Sequence, residues 1–145
     1  MDASPTAAHA LLAQTIAGVF ALLALLHLYW VAGGRRGAEA AVPQLADGSP
    51  AFAPSRTMTA GVALGLLGCA LLVWAQGRPD WIAQLPALRW LCRALAGVML
   101  LRAVGDFRLV GFFKTLRDSR FARLDTRYYS PLCLFLGCAC LWLAA

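Results

Sequence analysis

From Ala8 to Ala32 the chain carries no charged side chain, and from Met58 to Gln76 it again carries none. A helix rises about 1.5 Å per residue and a hydrocarbon core is about 30 Å thick, so about 20 apolar residues cross it. Both runs meet that requirement. Two further apolar stretches follow, at about 88–107, where Arg89, Arg93, Arg102 and Asp106 interrupt it, and at about 128–145. Lipid leaves backbone groups no outside partner, and no alternating pattern points to a barrel. The expected fold is therefore all-α: a single integral membrane domain over residues 1–145, built as a four-helix bundle with spans at about 8–32, 58–76, 88–107 and 128–145. Composition agrees, since 61% of the 145 residues are hydrophobic and 14% charged, against roughly 45–50% and 25% in soluble domains. The same surplus excludes disorder. A cleaved signal peptide fits the first run poorly, because no basic residue precedes Arg35 and the run outlasts a signal core.

The net charge of +6 would suggest nucleic acid on a globular surface, but here the charges punctuate apolar runs. They also fall on one side. The loops 33–57 and 108–127 hold Arg35, Arg36, Arg56, Arg108, Lys114, Arg117, Arg120, Arg123 and Arg127, whereas the opposite side holds Arg78, with Arg89 and Arg93 at a span edge. The excess of basic residues makes those two loops cytoplasmic and both termini external.

Helices in lipid associate by close packing of small residues. Such stripes occur as Ala10, Ala17, Ala21 and Ala24, as Gly61, Gly65 and Cys69, and as Cys133, Gly137, Cys140 and Ala144. Packing within one bundle is the expected use of all three, with a homodimer through Gly61 and Gly65 as the alternative.

Ionisable groups within a membrane are costly, and each is a site hypothesis. His27 lies near the cytoplasmic end of the first span, and Arg102 and Asp106 stand four apart on the third, hence on one helix face. With Tyr29 and Trp30 beside His27, Arg56, Thr57 and Thr59 opening the second span, and Tyr128, Tyr129, Ser130 and Pro131 opening the fourth, these outline a polar pocket facing the cytoplasm. Two readings attach to it. In one, Arg102 and Asp106 neutralise each other structurally; in the other, they serve as counter-ion to a ligand while His27 titrates. Tyr29 and Trp30, like Trp81, Trp90 and Trp142, also suit interfacial anchors.

The segment Phe107 to Leu124 interleaves apolar and basic residues. A short amphipathic cytoplasmic helix between spans three and four is expected there, with Lys114, Arg117, Arg120 and Arg123 meeting anionic membrane lipid. Nucleic acid is not an expected partner, given the poor access beside two spans. The 33–57 loop, with Pro43, Pro50 and Pro54, reads as an irregular linker or a cover over the pocket.

Cys69, Cys92, Cys133, Cys138 and Cys140 contain no CxxC, and all lie in expected spans. Packing is their expected role, with an external disulfide of Cys92 with Cys138 or Cys140 as the exception. His9 and His27 are separated by about 27 Å of helix and cannot share one haem iron. No phosphate loop, zinc-protease or serine-hydrolase motif occurs. No catalytic residue, cofactor or metal is expected.

His27, Leu28, Tyr29 and Trp30 followed by Gly33 and Gly34, and the run RAVGDFRLVGFFKTLRDSRFARLDTRYYSPLC from Arg102 to Cys133, resemble a family of small bacterial four-helix membrane proteins, domain of unknown function 3995. The resemblance covers most of the chain. It implies the fold, a membrane location and a bacterial origin, hence the inner membrane. It marks His27, Tyr29, Trp30, Arg102, Gly105, Asp106, Phe113, Lys114, Asp125, Tyr129 and Pro131 without giving them roles. The expected function is non-enzymatic, namely binding of a lipid, small ligand or protein partner at the cytoplasmic pocket. The alternatives are a small dimeric transporter, with Asp106 as its acidic residue, and a membrane redox enzyme using haem, quinone or thiol chemistry.

Overall fold

The computed structural model describes residues 7–145. Its helices are α1 (Ala7–Val31), α2 (Ala38–Ala41), α3 (Arg56–Gln76), α4 (Pro79–Gln84), α5 (Ala87–Val104), α6 (Arg120–Leu124) and α7 (Ser130–Leu143), with a π-helical turn, Asp125–Tyr129, joining α6 to α7. Among the described residues the one strand-like feature is an isolated antiparallel pairing of Gln44 with Pro50. The architecture is all-helical, and α1 and α3 are each long and apolar enough to cross a membrane.

Two antiparallel pairs make the bundle. α1 packs along α3, and α5 along α7. The core between them is Ala13, Ile16, Ala17 and Phe20 of α1, Ala70 and Val73 of α3, Cys92 and Ala96 of α5, and Leu136, Ala139, Cys140 and Leu143 of α7. Small residues dominate it, so the helices approach closely, as the first and third small-residue stripes predict. At Gly137 a Cβ would stand 2.8 Å from the Leu100 side chain and 3.2 Å from the Ala96 carbonyl. The second stripe behaves differently. Gly61 and Gly65 are exposed, with open space where a Cβ would stand, and α3 turns Ala63, Ala70 and Val73 inward instead. The expectation that this glycine pair packs inside the bundle is therefore corrected.

Large apolar side chains cover the outside: Leu22, Leu64 and Leu101 are 68%, 67% and 72% exposed. A continuous coat of this kind is unfavourable in water and, with the two long apolar helices, suggests membrane association.

Three boundaries depart from expectation. α5 stops at Val104, because Gly105 takes φ 93° and ends the helical run, so Asp106 lies outside it. The amphipathic helix expected over 107–124 is reduced to α6; residues 105–119 form an irregular loop instead. Its course is set by the positive φ of Gly105 and Gly111 and by Asp106, whose Oδ1 accepts the backbone N–H groups of Arg108, Leu109 and Val110 at 2.9, 2.7 and 3.0 Å. Those bonds hold turn geometry against helix. The fourth helical rod then begins early, at Arg120, where the Ser119 hydroxyl caps it by accepting from Ala122 N–H at 3.0 Å.

Candidate functional site

The expected polar pocket divides into two places. The first is an ionic centre beneath the 105–119 loop. Asp125 is fully buried at the start of the π-turn, and its Oδ1 accepts from Arg102 Nη2 at 2.8 Å. Its Oδ2 accepts from Lys114 Nζ at 2.9 Å, Gly111 N–H at 2.8 Å and Ser130 Oγ at 3.2 Å. Four donors thus surround the carboxylate, three on Oδ2 and one on Oδ1. Lys114 is matched fully: its ammonium donates to the Gly111 carbonyl at 2.8 Å, to Asp125, and to Thr126 Oγ1 at 2.6 Å. Burial pushes the Asp125 carboxyl up, but the Lys114 and Arg102 hydrogen bonds outweigh it and hold the group below the usual carboxylate range.

This arrangement corrects the expected Arg102–Asp106 pair. The partner of Arg102 is Asp125, and Asp106 spends its oxygen on the loop backbone. It also corrects Lys114, expected to meet lipid, which is 1% exposed; Arg117, Arg120 and Arg123 do face outward. With its carboxylate shared among donors from α5, the loop and α7, the centre is a staple tying the three together, while Arg102 Nη1 is buried without a hydrogen-bond partner among the described residues. Asp106, the residue a transporter reading relied on, is likewise held by the backbone. The glycines that admit the loop are sterically fixed: a Cβ on Gly105 would collide with the Val110 carbonyl, and one on Gly111 with the Val104 carbonyl.

The second place is a cavity of about 790 Å³ between the C-terminal end of α1, the N-terminal end of α3 and residues 38–54. His27 and Trp30 line one wall, Arg56, Met58, Thr59 and Val62 the other, and Glu39, Val42, Phe52 and Pro54 the cover. The volume suits a small-molecule or lipid headgroup site. The 33–57 segment is thus an ordered wall of the cavity. His27 Nδ1 donates to the Leu23 carbonyl at 2.8 Å, and a carbonyl only accepts, so Nε2 of the neutral ring is left as an acceptor. Trp30 stands edge-on to His27 at 4.8 Å and donates its indole N–H to the Arg36 carbonyl at 3.0 Å. Tyr29 lies outside the cavity, its ring over Gly34, where a Cβ would strike it.

Tyr129 links the two places. Its hydroxyl donates to the Ala40 carbonyl of α2 at 3.2 Å, while the π-turn that carries it also carries Asp125. The cavity cover is thereby fastened to the ionic centre.

Glu39, Phe52 and Met58 were not among the expected site residues. A signal for Glu39 exists, since it is the one glutamate in the chain. The external disulfide raised as the exception to packing does not form: all five cysteines are free thiols, Cys92 donating to the Cys140 carbonyl at 3.5 Å while Cys138 is exposed. Among the described residues no group of His, Cys, Asp and Glu is placed to hold a metal.

Comparison with curated proteins and with solved structures finds no match. The model of one family, described as "Protein of unknown function (DUF3995)", matches residues 20–140, and the chain belongs to that family.

Proposed function

We propose that this chain is a four-span protein of a bacterial inner membrane that holds a lipid-like amphiphile in the cavity between α1, α3 and the 38–54 cover. The observation that carries the reading is the cavity itself, mostly apolar, with a few polar groups, where two apolar helices end. That level of a bilayer is where headgroup meets acyl chain. In this reading α1, α3, α5 and α7 are the spans, and the termini are external. Arg35, Arg36, Arg56, Arg108, Arg117, Arg120, Arg123 and Arg127 mark the cytoplasmic side and meet anionic lipid.

Native mass spectrometry of the full chain released from detergent tests the proposal. The wild type retains one lipid-sized adduct, and Val62→Trp, which places an indole in the cavity wall, loses it. Retention of the same adduct by the variant contradicts the cavity as the binding place.

A further inference from the structure

Glu39 and Arg56 both line the cavity, both are exposed, and among the described residues neither makes an ion pair or side-chain hydrogen bond. Two opposite charges facing one space without pairing there are complementary to a ligand that carries both signs. The groups around them sort by sign. Glu39 and the acceptor Nε2 of His27 suit an ammonium, and the aromatic face of Trp30 adds attraction for a cation. Arg56 opens α3, where the guanidinium and the positive end of a 21-residue helix favour an anion.

The apolar part of the ligand has a path out. Met58, Gly61, Val62 and Gly65 fall at i, i+3, i+4 and i+7, one face of α3. Met58 and Val62 line the cavity, and beyond them the two glycines are exposed, with nothing within 4 Å of a Cβ position. An acyl chain leaving the cavity along this face stays in lipid. We infer that the occupant is an aminophospholipid of the phosphoethanolamine class, its ammonium at Glu39, its phosphate at Arg56 and one chain along the Met58–Gly65 face. The inference rests on the cavity reading above.

The test measures binding of dioctanoyl phosphatidylethanolamine, dioctanoyl phosphatidylglycerol and free phosphoethanolamine to the detergent-purified full chain by native mass spectrometry. The wild type prefers the ethanolamine lipid over the glycerol lipid by about tenfold, the worth of one charge-assisted hydrogen bond. Glu39→Gln abolishes that preference, and Arg56→Gln weakens both lipids. Neither side chain holds the fold together, so both variants fold. Free phosphoethanolamine binds far more weakly than the lipid. Equal affinity for the two lipids in the wild type, or a preference that survives Glu39→Gln, overturns the headgroup assignment while the cavity reading stands. Free phosphoethanolamine binding as tightly as the lipid overturns the acyl path, and absence of binding by all three overturns both readings.

Discussion

Lys114 and Asp125 meet at 2.9 Å with both side chains withdrawn from solvent, 1% and 0% exposed. Desolvating two charges costs several kcal/mol, which their attraction repays only when every remaining donor and acceptor is satisfied. Here the Gly111 carbonyl and Thr126 take the other two ammonium protons of Lys114, and Arg102, Ser130 and the Gly111 N–H donate to Asp125.

Replacing Asp125 by Asn leaves Lys114 buried without a counter-charge and costs about 3–5 kcal/mol. Asp106→Ala removes loop caps near the surface and costs about 1 kcal/mol. Denaturant unfolding of the detergent-solubilised variants checks the order. A larger loss for Asp106→Ala would restore the pairing expected from the i,i+4 spacing.

Because the Asp125 carboxyl is held below its ordinary value, its contribution to stability is complete above the unfolded carboxylate pKa of about 3.9. It is lost as pH falls through the lower folded value. Thermal melts should therefore lose an Asp125-dependent step only below about pH 4, and Asp125→Asn should remove that step. A step centred near pH 6 points to another group.

Gly105→Ala should destabilise the protein by more than the about 1–3 kcal/mol of its glycine-only positive-φ backbone alone, since the new methyl also meets the Val110 carbonyl. Gly18 of α1 has open space instead, and Gly18→Ala should gain about 0.5–1 kcal/mol. Parallel unfolding curves for the two variants give the comparison; losses of equal size would contradict the crossing of the two backbones at Gly105 and Gly111.

Tyr129→Phe deletes the bond to the Ala40 carbonyl at a cost of about 0.5–1.5 kcal/mol. Its effect should be local. Hydrogen exchange should quicken in residues 38–41 and stay unchanged in the core of α1, and uniform acceleration would show that the hydroxyl supports the whole bundle rather than the cover.

The helices α1 and α3 were legible because each is one uninterrupted apolar run, and the Ala17 and Gly137 stripes because helical period alone places them. Asp106 was misread for a physical reason: the argument from i,i+4 spacing holds only if the helix continues, and Gly105 ends it. Its replacement, Asp125, lies 23 residues from Arg102, beyond the reach of any local pattern, and Lys114 looked like one more surface cation in a basic run. Gly61 and Gly65 illustrate the converse, since spacing marks a face without saying what covers it. The cavity depends on how the 38–54 segment folds back over α1 and α3, which no periodicity records.

The central claim is that the cavity receives lipid, and photocrosslinking tests it most directly. A phosphatidylethanolamine with a diazirine in its acyl chain, activated in bilayers containing the full chain, should label the Phe52–Val62 stretch, and excess dioctanoyl phosphatidylethanolamine should suppress that label selectively. Labelling spread evenly over outward residues such as Leu22, Trp90 and Leu101, with no suppressible component at Phe52–Val62, would contradict the account.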